Sequence, residues 1–248
     1  MRTTATFRPL LLGLALLPLL PPPAPAQLEK DAAELSVKHA QARANNSKAL
    51  ASYSSNYRIE LWKKNELQWI DMVNVNVKPD GLPQFTQVNR DSVHERHGLF
   101  RNRREDRAFG KQDKIVEYAL QWMIYYNRLS PDRLNTLFLK AGATNAVQTS
   151  SGNKNILGVS ATNVRDSTAN DFVSLWFNRT NGHPVRFSFT IPVEKTVDGY
   201  AGDKLTVVMN YRYLSDGKTF YPDHVDVFVP GKDVKIKFEN LNIRKKVE

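Results

Sequence analysis

Imidazole changes charge near neutral pH, so the five histidines of this 248-residue chain are the first candidates for acid–base or metal chemistry. His94 and His97 stand together in His94-Glu95-Arg96-His97. A zinc-peptidase helix needs His-Glu-x-x-His, with one more residue between the ligands. The pair also lies among arginines, whose charge disfavours a bound dication, so surface histidines are expected there. His39 falls on an alanine-rich helical pattern and reads as a core-edge residue, and His183 falls in a hairpin turn. His224, beside Asp223 and Asp226, reads as solvation at a strand end. No metal ligands are expected.

Nucleophilic catalysis has no better footing. The chain contains no cysteine. Ser151-Gly152 sits in a polar stretch without the Gly-x-Ser-x-Gly elbow. Neither Gly-x-Gly-x-x-Gly nor a Gly-x-x-x-x-Gly-Lys phosphate loop is present. Glu60, Asp71, Asp171 and Asp226 fall on predicted strands, but no spacing selects a carboxylate pair for glycoside hydrolysis. The expectation is a non-catalytic protein without a cofactor.

Charge is the next signal. The formal net charge is +10, and Arg96, Arg101, Arg103, Arg104, Arg107, Lys111 and Lys114 crowd into one segment. A solvated connection is the first reading, since charge runs usually mark wet surface. The alternative is a non-catalytic interaction module. In it, Arg101, Arg103, Arg104 and Arg107 dock on an acidic envelope protein or an anionic membrane surface. Elsewhere the basic residues are dispersed, and nucleic acid is not an expected partner.

The elements that position these residues are read from periodicity. Val185, Phe187, Phe189 and Ile191 alternate with Arg186, Ser188 and Thr190. Leu205, Val207, Met209, Tyr211 and Tyr213 repeat the pattern, as do Val225, Val227 and Val229, then Val234, Ile236 and Phe238. A period of two means strands with one buried face. Tight joints at Asn181-Gly182, Asp216-Gly217 and Pro230-Gly231 predict antiparallel neighbours. Earlier strands are predicted around Tyr57–Leu61, Trp69–Val77 and Gln84–Asn89, with weaker ones at Ile156–Asn163 and Phe172–Phe177. Tyr53 to Asn56 reads as polar and turn-like, and the stretch around Ser150–Asn153 as polar connection.

Helices are predicted over Leu28–Leu50, fraying at Asn45-Asn46-Ser47, and over Ile115–Leu129, with Ile115, Ala119, Trp122 and Tyr126 on one stripe. Ser130-Pro131-Asp132 restarts a third that Gly142 ends. Segregated helices and strands of this kind define an α+β domain, a strongly curved antiparallel sheet with helices on one face or inside its curve. Residues 27–248 read as one domain, with a helical lid around 114–142.

Trp62, Trp69, Phe85, Trp176, Phe187, Phe189, Tyr211, Tyr213 and Phe228 all fall on predicted strands. They make either an ordinary core or the wall of an apolar cavity, and a sequence distinguishes neither. The candidate cavity residues are Trp62, Val73, Val75, Trp122, Phe138, Trp176, Phe187, Phe189, Met209 and Tyr211. The N-terminus adds a compartment. Arg2 and Arg8 precede the apolar run Leu10–Leu20, and Ala24-Pro25-Ala26 offers a small-x-small cleavage site, so residues 1–26 read as a cleaved signal peptide. With no cysteine to carry a lipid, the exported chain is expected to be soluble in the periplasm and not lipidated.

From Asp171 onward the sequence resembles the LolA-like superfamily of periplasmic lipoprotein carriers. The resemblance is carried by Asp171-Phe172-Val173-Ser174-Leu175-Trp176-Phe177, Gly182-His183-Pro184-Val185-Arg186-Phe187, Met209 to Lys218, Phe220-Tyr221-Pro222 and the closing Val234 to Asn242. It implies an incomplete β-barrel closed by helices, with an apolar cavity that shields a lipid or the acyl chains of a lipoprotein. Arg58 and Arg186 are candidates for a cavity arginine by strand placement alone.

Overall fold

The computed structural model describes residues 25–78, 82–92, 113–126, 146–150, 153–162 and 170–246. Helix α1 (Pro25–Leu50) precedes β1 (Tyr53–Lys63), β2 (Glu66–Val77) and β3 (Pro83–Ser92). Helix α2 spans 113–126. There follow β4 (Ala146–Ser150), β5 (Asn153–Thr162), β6 (Phe172–Asn178), β7 (Pro184–Pro192), β8 (Lys204–Tyr213), β9 (Phe220–Val229) and β10 (Val234–Lys245). The predicted signal peptide up to Ala24, the third helix and most of the arginine-rich segment lie outside the described residues.

The ten strands form one antiparallel sheet in the order β3-β2-β1-β10-β9-β8-β7-β6-β5-β4. Every ladder but one joins strands adjacent in sequence. The exception is β1 with β10, which brings the first strand to the last. Among the described residues β3 and β4 are the open edges, so the sheet is not closed.

Alternation fixes which face is buried. One continuous row runs Ala161, Val173, Phe189, Val207, Val227, Ile236, Leu61, Trp69 across eight strands, each directly opposite the next. All eight are buried. A one-residue slip anywhere would turn a strand's share of this row to solvent, and that specifies the register. Helix α2 lies on this face as its stripe predicts. Ile115, Ala119 and Tyr126 are buried, and the Tyr126 ring sits 4.7 Å from Phe189 and 5.8 Å from Phe187.

Two expectations about local structure change. Tyr53–Asn56 opens β1 rather than forming a turn, because each residue has a ladder partner between Asn242 and Lys245 of β10. Helix α1 continues through Asn45-Asn46-Ser47 to Leu50, and Asn46 is buried. The reason lies in β9. The β9–β10 ladder reaches only from Val234–Val229 to Glu239–His224. Beyond it β10 continues with β1 alone, leaving the start of β9 without a strand on that side. The Asn46 amide takes the vacant place. Its Nδ2 donates to the Phe220 carbonyl at 2.7 Å, and its Oδ1 accepts from the Phe220 N–H at 2.7 Å.

Gly182 lets the helix approach the β6–β7 turn. A Cβ at this position would stand 2.6 Å from Lys38 Cβ and 2.9 Å from the His39 nitrogen, and its φ is +70°. Substituting Asn46→Ala leaves a buried N–H and a buried C=O of Phe220 unpaired. Such groups cost about 1–3 kcal/mol each, so the variant is expected to lose about 2–4 kcal/mol of stability, measured by urea unfolding.

Candidate functional site: a cavity where the sheet divides

Where β9 and β10 part, the interior is not filled. A cavity of about 170 Å³ lies there. Its walls come from α1, α2 and the successive strands β3, β2, β1, β10, β9 and β8. The apolar wall includes Leu50, Ile59, Val73, Val75, Phe85, Leu120, Phe220 and Phe238. Phe85 and Val77 sit at the β3 side, where Phe85 is 39% exposed.

The opposite wall is polar and comes largely from α1. His39, Arg43, Asn46 and Leu50 recur at helical spacing on one stripe. His39 is buried, its ring 5.2 Å from Phe177. Burial, and next the positive charge of Arg43, lower its pKa from 6.5 to about 3, so it is neutral. Arg43 Nη1 donates to the Tyr126 carbonyl at 3.3 Å, at the last described residue of α2. Burial also lowers the pKa of this guanidinium. The Tyr57 hydroxyl donates to the Pro222 carbonyl on β9, and desolvation pushes its pKa up. A second side chain therefore satisfies backbone in the gap that β10 leaves. Among the described residues no three histidine, aspartate or glutamate side chains come together as a metal site would require.

The residues singled out from sequence separate into three places. Val73, Val75 and Tyr211 line the cavity. Phe187, Phe189 and Met209 are buried in the solid part of the core, while Trp122 packs at its margin against Tyr118 and Tyr126. Trp62 and Trp176 face the other side of the sheet. The Trp62 indole donates to Glu60 at 2.9 Å and lies under the Lys237 ammonium. Trp176 covers Gly158, where a Cβ would meet the indole at 2.7 Å. Phe138, Arg101, Arg103, Arg104 and Arg107 lie outside the described residues. Of the two strand arginines, Arg58 pairs with Glu60 at 2.7 Å, and neither Arg58 nor Arg186 lines the cavity. The cavity arginine is Arg43, on the helix. The signal for it was the 39-43-46-50 spacing, hidden because three of its four members are polar.

No family model matches the chain, and no curated protein matches it. Among solved structures it is similar to a putative outer membrane lipoprotein-sorting protein domain from Vibrio parahaemolyticus. That match has 8% identity and a TM-score of 0.40, covering 88% of this chain and 94% of the other. It is also similar to a LolA superfamily protein from Nitrosomonas europaea, with 9% identity and a TM-score of 0.33, covering 85% and 94%. A DUF1329 family protein from Desulfovibrio piger matches with 9% identity and a TM-score of 0.35, covering 88% and 93%. Two of these names coincide with the superfamily that residues 171–242 resemble. At such scores the activity of this chain must be argued from its own geometry.

The neutral His39 makes stability depend on pH with a definite sign. Its folded pKa lies below the unfolded 6.5, so between those values the unfolded chain binds a proton that the folded chain refuses. Stability is full above about pH 6.5 and falls as pH drops. From this residue alone the loss between pH 7 and pH 5 is about 2 kcal/mol. Urea unfolding at the two pH values is expected to give this difference, and a His39→Leu variant to lose most of it.

Proposed function

We propose that this protein is a soluble periplasmic carrier that holds an apolar ligand, a lipid or the acyl part of a lipoprotein, in the cavity between sheet and helices. The observation that carries the reading is the cavity itself, a space of about 170 Å³ with a mostly apolar wall beside the hydrophobic core. Natural cores leave few voids larger than a water molecule, because each forfeits packing contacts. An apolar cavity of about 150 Å³ can stay dry and take up a benzene-sized guest. Burying each CH₂ of an acyl chain gains about 0.8 kcal/mol, so a short enclosed segment suffices for reversible binding.

The size also bounds the ligand. Pockets that enclose a drug-sized molecule run from about 300 Å³ upward. In the described arrangement the cavity holds part of one chain, and a longer tail would leave past Phe85 at the β3 edge. Helix α1 meets the sheet through side chains such as His39 and Asn46, while the strands are joined by continuous backbone ladders. No helix among the described residues is long and apolar enough to cross a membrane. An export signal and a lid around 114–142 belong to this proposal.

The test is binding of the neutral fluorophore N-phenylnaphthylamine to the purified chain. Saturable enhancement is expected, with competition by lauryl alcohol. Val75→Trp, which fills the apolar end, is expected to weaken the probe by tenfold or more while the far-UV spectrum is kept. A chain that takes up neither compound is not a carrier of this kind.

A further inference from the structure

We infer that the ligand of this cavity is a single-chain amphiphile, seated with the end of its one acyl chain against Ile59, Phe238 and Val225 and its polar head at the rim by Tyr53 and Ser55. The inference rests on the carrier reading and narrows it to a chemical class. A diacyl phospholipid or a triacylated lipoprotein anchor brings more chains than the space receives.

The cavity has a floor. Ile59, Phe238 and Val225 stand opposite one another on β1, β10 and β9, and all three line it. Two residues further along, the same face carries Leu61, Ile236 and Val227, which are fully buried in the core. Among the described residues of these strands the lining ends at the Ile59 row. Sideways growth is blocked as well. Tyr211 brings β8 to the wall, and beyond it on β7 the interior is solid. There the buried Tyr126 ring lies 4.7 Å from Phe189 and 5.8 Å from Phe187, and those two rings are 5.9 Å apart. A second chain beside the first would have to displace these close-packed aromatics. The volume agrees. The space of about 170 Å³ is near the roughly 150 Å³ that receives one benzene-sized guest and well below the roughly 300 Å³ where larger ligands begin.

The other end is polar and leads outward. Tyr53 and Ser55 line the cavity ahead of Ile59 on the same strand, about 20 and 13 Å from it at the usual rise per residue. They stand at the end of the sheet where β2 turns into β3, and Phe85 on β3 is 39% exposed. A chain therefore enters tail first. Its head stays among hydroxyls and water, where its hydrogen bonds are kept, and any excess length leaves past Phe85 with the head.

The experiment counts chains. The full chain is titrated with monooctanoylglycerol, dioctanoylglycerol and trioctanoylglycerol, below their aggregation limits, by displacement of N-phenylnaphthylamine. A second enclosed octanoyl chain would tighten binding by about a thousandfold or more, at about fourfold for each buried CH₂. The diester and triester are expected to gain no more than about tenfold over the monoester, because their chains compete for one place. Across monoacylglycerols of rising length, affinity is expected to climb until the cavity is filled and then level off. Ile59→Ala deepens the floor and is expected to move that break to chains longer by about two carbons. Phe238→Leu makes the same test if the alanine variant does not fold. A diester or triester that gains more than tenfold overturns the inference and leaves the carrier reading standing, as does a bound fluorophore that no monoester displaces. A break that a folded variant does not move overturns the floor at Ile59 and Phe238. Binding of neither fluorophore nor monoester overturns both readings.

Discussion

The structure turns on the place where β9 loses its neighbour. A strand inside a sheet must pair on both sides, because buried backbone groups left unpaired are costly. After Glu239 opposite His224, β10 stays with β1 and abandons the start of β9. Two side chains repair the loss. The Asn46 amide imitates a strand partner for Phe220, and the Tyr57 hydroxyl serves the carbonyl of Pro222. Pro222 itself needs less, since proline has no N–H to satisfy. These side-chain bonds let the sheet divide without exposing its backbone, and the cavity occupies the division.

The same constraint explains why α1 carries a polar stripe into the interior. A helix docked by leucines alone would fill the gap and leave the Phe220 groups stranded. His39, Arg43 and Asn46 instead bring hydrogen-bonding capacity on long or branched side chains, and these leave space beside them. The cost falls on His39, which must stay neutral to remain buried. The polar wall of the cavity and the partner that completes β9 are therefore the same piece of chain.

Much of the architecture could be read before any coordinates. Alternation places β6 through β8 almost residue for residue and finds the cores of β9 and β10, but misses the first five residues of β9 and the end of β10, and the Ile115-Ala119-Trp122-Tyr126 stripe predicts the contact face of α2. These signals are strong because the buried face is apolar and the period is unambiguous. The cavity was legible only in part. Val73, Val75 and Tyr211 line it, but Phe187, Phe189 and Met209, equally apolar and equally periodic, sit where the core is solid. Inward direction follows from period two, whereas the distance to the opposite wall does not. Asn46 read as a fraying helix end because asparagine is usually polar punctuation there. Its partner lies 174 residues away, and no local pattern encodes that pairing.

Strand β10 has a further consequence for how the molecule is assembled. The remaining strands form two meanders, β1 to β3 and β4 to β9, and neither shares a ladder with the other. β10 is the seam between them, pairing β1 along one side and β9 along the other. Without β10 the ladders would leave two sheets, with β1 and β9 as two extra open edges. One sheet instead of two thus depends on the C-terminal strand, which joins halves that are far apart in sequence.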